Sequence, residues 1–229
     1  MKFTSTIMTG VSGAIGNMVG LMGLGGMAVR ARVVPANPKS TAQQGVRATL
    51  TSLAAAWSAT LTQAQRNGWD VYAATLTFTN TLGQSYRISG FDAYVAANGA
   101  RIVGGLSRVD APPATGGFAS YTSPTPSFVV SSHAISVAFT NTDAWAGEVG
   151  GAMIVRVSPI GFSPGIKNYT TPFIYAGKVV GAVSPPTSPT VITLAAGAIV
   201  TGKQYAAAIR VVRADGRFSQ EAIFRGIGA

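Results

Sequence analysis

The sequence predicts an α+β chain in which an extended N-terminal arm precedes a small helical region and a C-terminal all-β sandwich. Three observations predict this order. The first 38 residues are rich in glycine, helix-start signals recur over residues 39–110, and alternating apolar residues separated by turns fill residues 124–229. Residues 111–123 are rich in proline and glycine, which is typical of a linker between the last two parts.

The arm, residues 1–38, has no charged residue between Lys2 and Arg30. A run of this length could span a membrane or act as a signal peptide, and both remain alternatives. Seven glycines lie between residues 10 and 26, and each costs a helix about 1 kcal/mol. The favoured interpretation is therefore an extended arm packed against a neighbour. Arg30 and Arg32 alternate with apolar residues, which predicts a short strand with both arginines on one face.

Two helix-start signals predict a helical hairpin after the arm. The first helix is predicted over about 41–58, where four apolar residues recur at the spacing of one helix face. These residues are Val46, Leu50, Leu53 and Trp57. The capping-box pattern that starts at Thr62 predicts a second helix that extends to about Ala74. A third, shorter helix is predicted to follow Ser89 and to end near Asn98.

Beyond the linker, turn residues recur at intervals of roughly 8–12 residues and predict eight short strands. The predicted strands are Phe128–Ser131, Ala134–Thr140, Ala152–Ser158, Lys167–Tyr175, Lys178–Val183, Thr190–Leu194, Gln204–Arg213 and Phe218–Arg225. So many short strands in one region indicate a two-sheet sandwich. The segment Ala214-Asp215-Gly216-Arg217 predicts a hairpin turn between the last two strands.

The hairpin around this turn resembles a known structural family. The stretch from Tyr205 to Ser219 is similar to the last hairpin of a fibronectin type III or related immunoglobulin-like domain. The resemblance implies that residues 124–229 form an immunoglobulin-like sandwich.

The charge composition limits what the surface can do. The 229 residues contain 17 lysines and arginines and 7 acids, so charged residues make up only 10% against roughly 25% in an average domain. Such a surface is expected to meet another protein, another copy of the chain or a membrane. All the acids lie at position 70 or later, which suggests that the N-terminal part faces something acidic. The candidate assembly interface consists of Arg30, Arg32, Arg47 and Arg66.

The residues that carry common chemistry are scarce. The absence of cysteine excludes disulfides, thiol catalysis and cysteine-ligated metals. The single histidine, His133, follows Ser131 and Ser132 too closely for a catalytic triad and is expected in a surface turn. The glycine-rich segment 20–26 lacks the lysine of a phosphate-binding loop, and no two acids share a helix face. No catalytic, cofactor-binding or metal-ligating residue is therefore predicted, and the chain is expected not to be an enzyme.

Several motifs occur in order between residues 12 and 98. They are Ser12-Gly13-Ala14-Ile15-Gly16-Asn17, Ala31-Arg32-Val33-Val34-Pro35-Ala36-Asn37-Pro38, Gln43-Gln44-Gly45-Val46-Arg47, Leu61-Thr62-Gln63-Ala64-Gln65-Arg66 with Trp69 and Tyr72-Ala73-Ala74, and Ser89-Gly90-Phe91. This order resembles a group of small proteins encoded among the structural genes of tailed bacteriophages. The sequence departs from that group over residues 19–26, where relatives more often carry polar and basic residues.

The resemblance implies a non-enzymatic structural component of a tailed-phage virion, such as a capsid-decoration, neck or tail subunit. Its expected partners are copies of itself and other virion structural proteins, and its expected location is the virion. One alternative is a virion protein that contacts DNA weakly. Another is a membrane-active protein that inserts its glycine-rich N-terminal segment during infection, although a membrane is the less favoured partner.

Overall fold

The computed structural model describes residues 2–3, 13–23, 26–33, 39–79, 84–166, 173–194 and 199–229. These residues form three helices and thirteen strands, and the strands pair antiparallel in four sheets. The α+β class is therefore confirmed, with β structure predominant. The chain divides into two compact units, Met1–Gln44 and Gly45–Ala229. The expected arm belongs to the first unit, whereas nearly all of the expected helical, linker and sandwich segments belong to the second.

The first unit contains a four-stranded sheet with the order β1-β4-β3-β2. Its strands are β1 (Lys2–Phe3), β2 (Gly13–Ile15), β3 (Met18–Gly23) and β4 (Gly26–Ala31). In the β3–β4 hairpin, Met18 lies opposite Ala31 and Gly23 lies opposite Gly26. The segment that was expected to be extended therefore forms a β-sheet. The proline-rich end of the arm, residues 34–38, lies outside the described residues.

Three helices follow, α1 (Thr41–Ala59), α2 (Gln63–Ala74) and α3 (Gly90–Val103). The predicted capping box at Thr62 is present, and Ser89, the predicted start of the third helix, forms a second one. In each box the cap hydroxyl accepts the N–H of the residue three positions on, and that residue's side chain accepts the cap N–H. The predicted end of α3 near Asn98 is wrong, because the helix continues for five more residues. A small hairpin, β5 (Phe78–Thr79) and β6 (Ser85–Tyr86), lies between α2 and α3.

Seven strands form two further sheets in the C-terminal part. They are β7 (Thr125–Val129), β8 (Ala134–Ala138), β9 (Ala152–Val157), β10 (Ile174–Val180), β11 (Thr190–Thr193), β12 (Gln204–Val212) and β13 (Ala222–Ile227). One sheet has the order β10-β9-β12-β13 and the other has the order β11-β8-β7. The predicted turn between the last two strands is present, and Gly216 adopts the positive φ of 90° that the turn requires.

One strand crosses a position where the sequence predicts a break. The predicted strands Lys167–Tyr175 and Lys178–Val183 were separated near Gly177, but β10 runs through this glycine with a register shift between Tyr175 and Gly177. A Cβ at Gly177 would lie 2.5 Å from the Ile192 side chain. The glycine therefore permits a close approach to β11 rather than ending the strand. Residues 167–172 lie outside the described residues.

The C-terminal four-stranded sheet, with the order β10-β9-β12-β13, is buried on both faces near its centre. On one face, Val155 and Ile209 share a hydrophobic core with Val137 of the three-stranded sheet. On the other face, Ile154 and Phe218 belong to a second core together with large side chains of the helices. These helical side chains include Leu53, Trp69, Tyr72 and Tyr94. Burial on two faces explains why β9 and β12 are almost continuously apolar.

The segment expected to be a linker contacts both cores, because Phe118 packs against the helical core and Tyr121 packs against the core between the two C-terminal sheets. The Tyr72 hydroxyl donates a hydrogen bond to the Gly117 carbonyl over 3.3 Å, and the Ala119 N–H donates to the Phe218 carbonyl over 2.9 Å. Just before it, the Trp69 indole N–H donates to the Asp110 carbonyl over 3.0 Å. These bonds connect the helices to the last hairpin.

A short parallel contact joins the edges of the two sheets. The Val130 N–H donates to the Ala229 carbonyl over 2.9 Å, and the Ala229 N–H donates to the Phe128 carbonyl over 3.1 Å. Phe128 and Gly228 form a parallel bridge at the same place. The C-terminal residues thereby run alongside β7 in the same direction.

Candidate assembly interface

Arg30 and Arg32 lie at the end of the β3–β4 hairpin in the first unit. Arg30 is part of β4 and lies opposite Val19. The Arg32 N–H donates to the Asn17 carbonyl over 2.7 Å, which continues the pairing past the end of the strand. Both residues are exposed, and their spacing of two places both side chains on one face of the hairpin. The alternation of Arg30 and Arg32 with apolar residues predicted this arrangement.

Arg47 lies on the exposed N-terminal half of α1. Its neighbours Val46 and Leu50 are 65% and 48% exposed, whereas Leu53, on the same helix face, is 1% exposed. The predicted apolar face of the helix therefore packs only at its C-terminal end. The first turns present two apolar side chains and one cation to the outside.

Arg66 is held within the helical hairpin. Its Nη1 donates to the Trp57 carbonyl over 2.9 Å and to the Ser58 carbonyl over 3.4 Å. Its Nη2 donates to the Gln63 side-chain oxygen over 3.1 Å. A cation at these carbonyls satisfies the end of α1 and opposes the negative end of the helix dipole. Arg66 thus joins α1 to α2.

Arg47 and Arg66 are far apart. Arg66 bonds to the carbonyl of Trp57, and Arg47 lies ten residues before Trp57 on α1. Ten residues of α-helix span about 15 Å along the helix axis. The structure thus groups Arg30 with Arg32 in one unit and separates Arg47 from Arg66 in the other.

All seven carboxylates of the sequence accept hydrogen bonds inside the chain. Their partners are Gly90 for Asp70, Ser89 for Asp92, Arg108 for Asp110, Thr122 for Asp143, Arg213 for Glu148, Arg217 for Asp215 and Arg156 for Glu221. Four of these contacts are ion pairs. The carboxylates therefore bond to other parts of the same chain. The net charge of the chain is positive.

A buried arginine connects α3 to the β-sheet and was not anticipated from the sequence. Arg101 is 3% exposed, and its Nη1 donates to the carbonyls of Gly150 and Arg213 over 3.0 and 2.7 Å. Burial lowers the pKa of Arg101, and the nearby Glu148 and Asp215 partly oppose this effect. Arg101 falls within a helix only if α3 continues past Asn98, and this helical position is the only sign of its role in the sequence.

Two further arginines lie on the helix-facing side of the four-stranded sheet. Arg156 alternates with the core residues of β9, and its Nε donates to the Glu221 carboxylate over 3.0 Å. The Arg210 guanidinium lies 5.7 Å from the centre of the Phe218 ring. Burial lowers the pKa of Arg210, with an opposing contribution from Glu221. The alternation Ile209-Arg210-Val211 was visible in the sequence and was the signal for this position.

Among the described residues, no three metal-ligating side chains come together. His133 is exposed in the turn between β7 and β8, where it has a φ of 48°. None of the helices in the described part of the chain has the length and hydropathy needed to cross a bilayer.

Comparisons of the chain with protein-family models, with curated proteins and with solved structures found no match.

Proposed function

We propose that this chain is a non-enzymatic structural component of a tailed-phage virion, acting as a capsid-decoration, neck or tail subunit. The observation that carries the proposal is a surface that exposes apolar side chains and cations, while every carboxylate accepts a hydrogen bond from within the chain. Such a surface suits a subunit that is held in an assembly. The assignment to a phage rests on the ordered motifs of residues 12–98.

We also propose that residues 124–229 form an immunoglobulin-like sandwich of the fibronectin type III kind. Three antiparallel strands and four antiparallel strands enclose one core, as such sandwiches do. At the start of β12, the Tyr205 hydroxyl accepts the Val200 N–H over 2.9 Å. A tyrosine at the start of the corresponding strand that bonds to the backbone a few residues upstream is a hallmark of these domains.

The proposed partners are other virion structural proteins and further copies of the chain. Because four of the seven carboxylates are already paired with other arginines, Arg30 and Arg32 would find their counter-charges mainly on a different protein. The exposed pair Val46 and Leu50 would add apolar contact area next to Arg47.

Incorporation into particles tests the proposal. In a phage that encodes the chain, the double variant Arg30→Ser and Arg32→Ser should reduce its copy number in purified virions by at least tenfold, measured by quantitative mass spectrometry. Lys203→Ser, which removes an exposed cation from the second unit, is the matched control and should be incorporated normally. Full occupancy of the double variant would exclude these arginines as the anchor, and absence of the wild-type chain from virions would exclude the function.

A DNA-contacting virion protein is the second candidate. The observation that favours it is that residues 1–69 contain six cations and no acid, with Arg30, Arg32 and Arg47 exposed. It predicts binding to a labelled DNA duplex that weakens about tenfold or more between 50 and 200 mM salt, measured by fluorescence anisotropy. Binding that is absent at 50 mM salt would eliminate this candidate.

A further inference from the structure

Alternate side chains of β13 point to opposite sides of its sheet. Phe224 packs against the core between the two C-terminal sheets, and a Cβ at Gly226 would lie 2.9 Å from the Phe128 ring of the same core. The other set of side chains therefore points to the side on which the helices cover Ile154. This set, called the outer β13 face, consists of Ile223, Arg225 and Ile227.

The helices do not reach as far as the outer β13 face. Ile223 lies opposite Ala208, which in turn lies opposite Arg156 on β9. Arg156 lies opposite Tyr175 at the other edge of the sheet, so these residues form one row across the strands. Ile154, in the neighbouring row, is buried in the helical core, whereas Tyr175 is 40% exposed and Ile223 is more than half exposed. Both ends of the row are therefore accessible in the described part of the chain.

The outer β13 face is more apolar than an edge strand in contact with water requires. The water-facing side of such a strand usually carries polar or charged side chains, which keep other chains away. Here Ile223 and Ile227 are 55% and 54% exposed and lie on the same side of the strand. Large aliphatic side chains at both positions indicate a contact with another molecule.

The charge of this surface is positive. Arg225 is exposed between the two isoleucines, and the Arg156 side chain is 38% exposed. Glu221, just before β13, is the carboxylate residue of this surface among the described residues, and it already accepts a hydrogen bond from Arg156 over 3.0 Å. Two guanidinium groups thus accompany one carboxylate, and the surface complements a partner with an excess of carboxylates. A second copy fits less well, because two-fold packing of this face on itself would bring like charges together.

We propose that the outer β13 face binds another protein through a patch on which carboxylates lie beside apolar side chains. The inference rests on the proposed assembly function, and it gives the chemistry of one partner surface. The partner's apolar groups cover Ile223 and Ile227. Its carboxylate bonds to the guanidinium of Arg225, whose parallel N–H groups match the two carboxylate oxygens. The apolar contact supplies most of the affinity, and the ion pair selects the partner.

A pair of small amphiphiles tests the chemistry of this face in solution. Sodium hexanoate joins a carboxylate to a short apolar chain, and hexylammonium chloride carries the same chain with the opposite charge. Each is titrated into the full-length protein at constant ionic strength, and the methyl resonances of Ile223 and Ile227 are followed by NMR. We expect hexanoate to shift these resonances saturably and to bind about threefold more tightly than hexylammonium, as an exposed ion pair allows. The methyl resonances of Val191, which is 59% exposed on β11, should not shift.

The variant Arg225→Glu should abolish the preference for hexanoate in protein with a wild-type circular dichroism spectrum. An unchanged preference in this variant, equal binding of the two amphiphiles by the wild-type chain, or no saturable shift would overturn the proposal. A shift of the same resonances when the protein alone is concentrated would assign the face to a second copy. A shift caused by a DNA duplex at lower concentration than by hexanoate would assign it to a nucleic acid. Either assignment would also overturn the proposal.

Incorporation into particles provides a second readout. The double variant Ile223→Thr and Ile227→Thr removes the apolar contact but keeps β-branched side chains that suit a strand. We expect it to lower the copy number in virions about tenfold, as the loss of a central apolar contact would. Val191→Thr, on the other C-terminal sheet, is the matched control and should be incorporated normally. Normal incorporation of the double variant would contradict the proposal.

The two proposals fail separately. If the chain is found in virions but hexanoate is not preferred, only the partner chemistry of the outer β13 face fails. If hexanoate is preferred while the chain is absent from virions, the face stands and the assembly function fails.

Discussion

Arg66 fastens the end of α1 to the start of α2, so its loss should affect stability more than the loss of an exposed arginine. Arg66→Met removes charge-assisted bonds to the Trp57 and Ser58 carbonyls and should lower the free energy of unfolding by about 1–2 kcal/mol. Arg87→Met, at an exposed position before α3, is the control and should cost less than about 0.5 kcal/mol. Urea unfolding followed by circular dichroism measures both values, and equal effects would contradict the role assigned to Arg66.

Tyr72 gives the stability a dependence on alkaline pH. Burial raises the pKa of Tyr72 to about 12 from an ordinary value of 10.0. Between these two pH values the unfolded chain has lost the phenolic proton while the folded chain retains it. Stability should therefore be complete below pH 10 and fall by up to about 2–3 kcal/mol as the pH approaches 12.

Urea midpoints measured at pH 9 and at pH 11.5 test this expectation. Tyr72→Phe removes the titrating group and should make the loss of stability between the two pH values smaller. An identical loss in the variant would show that other groups cause it.

At the residue scale, the sequence predicted exposure better than burial. Arg30 and Arg32 lie on one exposed face as the alternation indicated. The internal bonds of Arg66 and Arg101 could not be predicted, because each depends on carbonyl groups that only the tertiary structure brings within reach. A charged side chain at a helical position gives no local signal of burial.

At the scale of elements, only the C-terminal half of α1 packs into the helical core. Replacing Val46 and Leu50 with glutamine should change the free energy of unfolding by less than about 0.5 kcal/mol, because both side chains are exposed. Leu53→Ala should cost about 2–5 kcal/mol, because Leu53 is buried in the helical core.

The same glutamine variants should reduce association. Light scattering of the purified chain, and its copy number in virions, would report the loss of an apolar contact. If stability falls while association is unchanged, the N-terminal half of α1 contributes to the folded monomer rather than to assembly.

The starts of helices were easier to predict than their ends. Local capping boxes at Thr62 and Ser89 mark the starts of α2 and α3. The end of α3 depends on distant contacts, since the Asn98 amide donates to the Val109 carbonyl and Arg101 reaches the sheet. The continuation of β10 through Gly177 likewise depends on the neighbouring Ile192, which is remote in sequence.

At the scale of the whole molecule, the helices and the C-terminal sheets should unfold together. Ile154 and Phe218 lie in the helical core, so residues 124–229 expressed alone would expose them at a cost of about 3–6 kcal/mol for these two side chains. We expect that fragment to bind a hydrophobic dye and to lack a cooperative thermal transition. Residues 45–229, which form one compact unit, should show a single transition. Equal melting temperatures for the two fragments would refute this dependence.

The sequence predicted the order of helices and strands but not this shared burial. The almost continuous apolar residues of β9 and β12 indicate strands that are buried on both faces, yet the layer that covers each face can equally be a second sheet or a group of helices. Ile154 is covered by a core that includes Trp69, which lies more than eighty positions earlier in the chain.

The parallel contact of residues 128–130 with residues 228–229 has a mechanical consequence. Because the two segments run in the same direction, tension applied between the start of β7 and the end of the chain would pull them past each other. Their hydrogen bonds would then bear the load together instead of opening one at a time. The domain should therefore resist stretching between these points more strongly than it resists peeling at the β12–β13 hairpin, a difference that single-molecule pulling from the two attachment geometries would reveal.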